Sequence, residues 1–338
     1  ITQITDGPQD DICVGTDNGL AILKDDKVSA VLNEQNGLSN PFIWFVQQDR
    51  NGIFYIGTDG GGVDIFRPGI FQTFNTASGL PHNTVWAICE YPQKTFYFAT
   101  DEGLAVYNQN TIDILDKSDG LSDNMVLCLH KSRDGKIYAG TNGQGVDILQ
   151  SGKFKNINKK QGLDALSVWT INEDGQGNIF FGLYDAGINI WNGSKVFKKI
   201  NSQNGLPSDA VVSSFCSSDG SLYFGTDGAG VVRIKNLEID TVLLAGNTVW
   251  SIYEDKDKNL YFGTNDQGLI FNRDGIWDTL NVAKGLSHNT ILGIMEDDSG
   301  MFYLTADNGL NVVEFNKDSY RVRLIGRRDG LASNECNQ

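Results

Sequence analysis

The chain has 338 residues, 40% of them apolar, enough to bury a substantial interior, and a formal net charge of −15. That charge argues against nucleic acid and anionic lipid as partners and favours neutral or cationic ligands at long range, while leaving room for a local basic pocket. No apolar run approaches the ~20 residues that span a bilayer, so this segment is not expected to insert into a membrane.

One phrase recurs eight times in chain order. It reads roughly [VI]-[W]-x-I-x-x-x-x-x-G-x-[LIF]-[YF]-x-G-T-[DN]-x-G-[LV]. Its glycine before Thr falls at Gly15, Gly57, Gly140, Gly182, Gly225 and Gly263, with Ala99 and Thr305 in the other two copies. The spacings are 42, 42, 41, 42, 43, 38 and 42 residues, so the chain is an array of one small unit. First strands are predicted from Ile1, Ile43, Val85, Val126, Val168, Val211, Val249 and Ile291. The third copy shows the unit: apolar or β-branched runs at 85–89, 96–99, 104–107 and 111–115 are separated by Pro92-Gln93-Lys94 and Asp101-Glu102-Gly103 turns.

Runs such as Phe180-Phe181 and Leu260-Tyr261-Phe262 are apolar on both faces, as strands sandwiched between two sheets must be. Four strands in a period of about 40–50 residues predict an all-β fold, a single β-propeller of four-stranded antiparallel blades. Eight copies predict eight blades over 1–329; seven blades plus one stray is the competing count. Residues 330–338 begin a ninth copy, read as a latch over the N-terminal blade or the start of a following domain. The chain does not begin with Met and has no signal-like apolar segment, which suggests a mature or excised portion.

Five scattered cysteines (Cys13, Cys89, Cys128, Cys216, Cys336) without C-x-x-C spacing are read as buried thiols. Three histidines and no catalytic motif predict no catalytic residues, no metal and no cofactor. The repeated Asp or Asn after G-T (Asp17, Asp59, Asp101, Asn142, Asp227, Asn265, Asp307) is read as a turn-builder bonding the backbone two residues on. Asp255–Asn259 lacks the glycine and distal Glu of a calcium loop and is read as a hairpin. Trp44, Trp86, Trp169 and Trp250 share one first-strand position, read as inter-blade packing, with a sugar-stacking platform as the alternative.

Departures from the repeat supply the candidate ligand-binding residues. Tyr184-Asp185 replaces the usual turn of the fifth copy, His82 and His288 sit in the G-L-[SP]-x-[ND] inter-blade loops, and Asp123 and Asp209 place carboxylates in such loops. If the loops converge on a channel mouth, they offer an aromatic ring, imidazoles and carboxylates to a hydroxyl-rich ligand.

The segments 79–88 (Gly-Leu-Pro-His-Asn-Thr-Val-Trp-Ala-Ile), 253–264 and 60–66 closely resemble the two-component regulator propeller repeat, G-L-S-x-N-x-V-x-x-I-x-E-D-x-x-G-x-L-W-x-G-T-x-x-G-L. The resemblance covers essentially the whole chain, with Phe-Tyr or Tyr where the family often has Leu-Trp. It implies a periplasmic or otherwise extracytoplasmic sensor region of a hybrid histidine kinase, responding to oligosaccharides or similar polar ligands. The segment 330–337 is similar to the family's G-L-x-S-N-E-F-N, with Cys336 where Phe is usual. No ligand residues carry over, because the family has no fixed ligand motif. The chain is therefore read as a non-enzymatic sensor, with a homodimer left open. A propeller lyase or glycoside hydrolase and a protein-interaction scaffold are the alternatives.

Overall fold

The computed structural model describes residues 4–6, 11–24, 27–67, 70–92, 94–108, 111–316 and 319–331. Over these the chain is an all-β, eight-bladed propeller fold of four-stranded antiparallel blades. The blades span 4–32, 43–74, 85–115, 126–157, 168–200, 211–243, 249–280 and 291–325, so the eighth is a complete sheet rather than a stray. Strands lie in chain order within each blade, the simplest solution for runs joined by tight turns. The first strand is described from Ile4; its expected start at Ile1 falls outside the described residues.

Burial follows strand position. Second strands such as Phe54–Thr58, Ile137–Thr141 and Ile179–Leu183 are buried at every residue, which accounts for their lack of polar alternation. Fourth strands alternate, as Glu238–Leu243 does, because one face meets solvent. The repeated glycine has a steric cause. A Cβ on Gly140 would lie 2.5 Å from Cys128 Sγ and 3.0 Å from the Val168 carbonyl, and on Gly225 only 2.4 Å from the Val249 carbonyl. Where Thr305 fills this slot, its cross-strand partner is Gly293, and the missing side chain makes the room.

The chain divides into two compact units, one of Ile1–Ser78, Asn83–Val85 and Tyr253–Gln338, the other of Gly79–His82 and Trp86–Ile252. In the first, blade eight packs directly on blade one. Leu331 is 3% exposed in a core with Ile12, Val14, Ala21 and Leu23 of blade one and Tyr303, Val312 and Ile325 of blade eight. Leu38, from the G-L-S loop before blade two, has the same place between blades one and two. In the second unit, Leu121, Leu163 and Leu206 seal the successive junctions of blades three to six. Residues 332–338, which carry the rest of the expected latch and Cys336, lie outside the described residues.

A buried polar tether fixes several inter-blade loops. Asp64 accepts from the Ser39 backbone N–H and hydroxyl (both 2.8 Å), and Asp147 from the Ser122 N–H and hydroxyl (2.9 and 2.6 Å). Asn189 and Asn311 hold the Asp164 and Ser287 N–H groups in the same way (3.0 and 2.8 Å). Where the loop has Pro81 or Pro207, which lacks an N–H, the equivalent third-strand residue is Ala105 or Val232. Loop and strand therefore vary together. Burial raises the Asp64 and Asp147 carboxyls above the ordinary range, against the lowering effect of these hydrogen bonds.

Candidate functional site

The inter-blade loops and the turns between second and third strands lie at one end of each blade. The turn geometry differs from the sequence expectation. It is the repeated Thr that ties the turn: Thr141 Oγ1 donates to the Gly145 carbonyl at 2.9 Å and accepts from the Gln144 N–H at 3.2 Å. In three blades the Asp or Asn after it reaches toward the next blade's loop. Asp59 accepts from Thr84 (3.2 Å), Asn142 from Ser167 (3.1 Å) and Asp227 from Thr248 (2.8 Å). At these three junctions the repeated residue joins one blade to the next.

The shared tryptophan position is not uniform from blade to blade. In blade five Val168 pairs with Leu183 and Thr170 with Gly182, so Trp169 is the extra residue of a β-bulge. Trp44, Leu127, Val212 and Leu292 sit at the same register shift in blades two, four, six and eight. A bulge breaks alternation and re-aims the side chain. Trp44, Trp86 and Trp250 are half-buried, and Trp169 is 43% exposed.

What the tryptophan meets depends on the first turn residue. In blade three the Trp86 indole N–H donates to Asp101 Oδ1 at 2.6 Å, and His82 Nδ1 lies 3.5 Å from the other oxygen. In blade five Tyr184 takes the place of that Asp. The Trp169 and Tyr184 rings then stack, with centroids 4.8 Å apart and planes 22° from parallel, and Tyr184 is 46% exposed. A buried aromatic pair is ordinary packing; two stacked rings open to solvent form a flat apolar platform. Exposed Asp185 follows Tyr184, and the Asn142–Ser167 pair belongs to the preceding junction.

The other candidates are placed as follows. Asp123 is paired with Lys117 at 3.1 Å. Asp209 uses both oxygens within its own loop, on the Ser202 N–H (2.6 Å) and hydroxyl (2.7 Å), and its carbonyl accepts from the Gly187 N–H at 2.9 Å. Asn83, Asn124 and Asn289 cap the same loop turn in other blades, so Asp209 occupies a repeated structural slot. His288 repeats His82: its Nδ1 accepts from the Thr290 N–H at 3.1 Å and lies 3.5 Å from Asp307. Among the described residues of the second unit, then, Tyr184 and Asp185 stand together, with His82, Asp123 and Asp209 held in separate local pairings. His288 belongs to the first unit. Trp169 was the residue that repetition hid; the signal that singles it out is Tyr184, the departure it stacks upon.

No group of three or more His, Cys, Asp or Glu suited to a metal occurs among the described residues. Asp255 accepts from the Asp257 and Asn259 N–H groups (2.9 and 2.8 Å) and from Tyr261 (2.9 Å), the bonding of a hairpin turn. No helix among the described residues is long and apolar enough to cross a membrane.

Comparison with known proteins supports the same reading of the repeat. Residues 243–266 match the family model described as two component regulator propeller, so the chain carries that repeat. Among solved structures it is similar to the extracellular domain of BT4673 from B. thetaiotaomicron, described as part of a hybrid two component system. The identity is 17% and the TM-score 0.62, over 94% of this chain and 53% of that one. PorZ, a surface component of the type-IX secretion system of Porphyromonas gingivalis, is similar at 13% identity and TM-score 0.60, over 97% and 59%. Virginiamycin B lyase from Staphylococcus aureus is similar at 12% identity and TM-score 0.58, over 90% and 95%. At these identities the likeness speaks for the fold. The chain spans about half the length of the BT4673 extracellular domain it matches. No curated protein matches the sequence.

Proposed function

We propose that this chain is the ligand-sensing propeller of an extracytoplasmic two-component sensor, and that it takes an oligosaccharide or similar hydroxyl-rich ligand on the Trp169–Tyr184 platform. The observation that carries the reading is the solvent-open stack itself, at the one turn where an aromatic residue replaces the repeated Asp or Asn. A pyranose presents an apolar C–H face to such rings and hydroxyls to their rim, where Asp185 accepts hydrogen bonds. The repeat match and the likeness to extracellular two-component domains support the sensor assignment and the extracytoplasmic side. Signal output requires that the ligand bind one of two arrangements better, as a change of orientation or of dimer geometry.

Calorimetry against a panel of neutral oligosaccharides, with product analysis of each hit, tests this. Binding without turnover, lost in Trp169→Ala and Tyr184→Ala, is the expected result. Turnover of a hit moves the protein to the lyase or glycoside hydrolase class, for which the nearly end-to-end likeness to virginiamycin B lyase is the favouring observation. No binding by any sugar, together with a protein partner on pull-down, sinks the sensing reading.

A further inference from the structure

The opposite end of blades four and five carries a second feature that the sensing platform does not use. Residues 126–200 hold ten Lys and Arg against six Asp and Glu, in a chain whose totals are 27 and 42. Two adjoining hollows, of about 450 and 240 Å³, open there and share Lys136, Tyr138 and Gly193 in their walls. Arg133, Glu173 and Asn192 line the larger; Lys153 and Lys155 line the smaller. Four cations thus face the cleft with two carboxylates, and both carboxylates are engaged. Asp134 is held by the Ser132 hydroxyl (2.6 Å) and by Lys136. Glu173 is buried, accepts the Arg133 backbone N–H at 2.8 Å and lies 3.8 Å from His130 Nε2. Lys155 lies 5.4 Å above the Trp191 ring, a contact that keeps its charge intact. The Arg133 and Lys153 side chains have no ion-pair partner among the described residues.

Clustered cations with spent counter-charges, in a molecule of strong overall negative charge, are costly unless an anion relieves them. From this geometry we propose that the cleft between the hairpins of blades four and five binds a small molecule bearing two or more negative charges, a polycarboxylate or a phosphate ester. The larger hollow alone falls in the usual size range for small-ligand sites, about 300–1,000 Å³. The site is independent of the platform. Ile179–Leu183 runs from one to the other, so about 17 Å of strand separates them.

Calorimetric titration of the whole chain with citrate and with inorganic pyrophosphate, at about 50 mM and about 500 mM salt, tests the proposal. At least one probe is expected to bind at low salt and to weaken at high salt. The double variant Arg133→Ala/Lys153→Ala, both positions exposed, is expected to lose about tenfold or more in affinity with an unchanged melting temperature. Trp169→Ala is expected to leave this binding intact, which separates the cleft from the platform. Preference for citrate assigns a polycarboxylate; preference for pyrophosphate assigns a phosphate ester. Absence of binding by either probe at millimolar concentration, or equal affinity in the double variant, overturns the proposal.

Discussion

Replacing Asp147 separates what a buried tether contributes as a hydrogen-bond hub from what it costs as a charge. Its side chain is fully buried and accepts from the Ser122 N–H (2.9 Å), the Ser122 hydroxyl (2.6 Å) and Asn156 Nδ2 (3.1 Å). Asp147→Ala removes three acceptor contacts and leaves the Ser122 N–H without its partner. A buried group left unsatisfied costs about 1–3 kcal/mol, and bonds to a charged group contribute about 1.5–3 kcal/mol each, against which the relief of an ionised buried carboxylate is set. A net loss of about 3 kcal/mol is expected. For 338 residues the unfolding entropy near 60 °C is about 0.7 kcal/mol/K, so the melting temperature falls by about 4 °C if the chain unfolds as one body and by about twice that if one unit unfolds alone. Asp147→Asn should not pay this loss. Asn311 already fills the slot in blade eight, accepting from the Ser287 N–H and donating from Nδ2 to the Ser287 hydroxyl at 2.9 Å. The sign with pH follows from the raised carboxyl of Asp147. The folded wild type holds its proton to higher pH than the unfolded chain, so its relative stability is full below about 3.8 and declines as pH rises through the raised value. The advantage of Asp147→Asn over wild type should therefore grow with pH across that window. Calorimetric melting of the three proteins between pH 4 and 8 reads both effects. Equal damage from Ala and Asn at neutral pH, or an Asn advantage that shrinks as pH rises, refutes the reasoning.

Three further outcomes are expected. Gly140→Ala places a Cβ 2.5 Å from Cys128 Sγ and 3.0 Å from the Val168 carbonyl, and should cost about 1–3 kcal/mol in urea denaturation, with part of the loss recovered by adding Cys128→Ala. Leu331→Ala opens the core between blades eight and one and should cost about 2–5 kcal/mol, with hydrogen exchange showing earliest loss of protection in blade one. Burial pushes the Cys89 thiol up to about 11 and the Cys128 thiol up to about 12, so neither should react appreciably with a thiol reagent in the native protein at pH 8, whereas both should on denaturation.

Sequence carried the architecture because a propeller blade is a local object. The period near 42, the turn residues and the doubly apolar second strands all act within one blade or between neighbours, so eight blades were countable from spacing alone. The glycine before Thr was legible as a repeat, but its cause, a neighbouring strand's carbonyl 3.0 Å from a Cβ at Gly140 and 2.4 Å at Gly225, belongs to packing. The same limit applies to two other repeated positions. The Asp or Asn after G-T resembles a turn-builder in one dimension, yet in space Thr holds the turn, and in blades two, four and six the carboxyl or amide crosses to the next blade. Tryptophan at the first strand reads as packing by composition, yet in blade five a register shift leaves Trp169 exposed.

By itself, then, the order of residues determined the fold class, the blade count and the positions where the pattern breaks, because those follow from backbone propensity and short-range contact. Tertiary structure alone decided what each break does. Tyr184 is one unusual turn residue in sequence, and becomes half of a platform only because the Trp169 bulge aims an indole at it from another strand. The cation cleft likewise draws Arg133, Lys153 and Asn192 from three separate hairpins, a convergence that spacing does not encode because it depends on how two blades face each other.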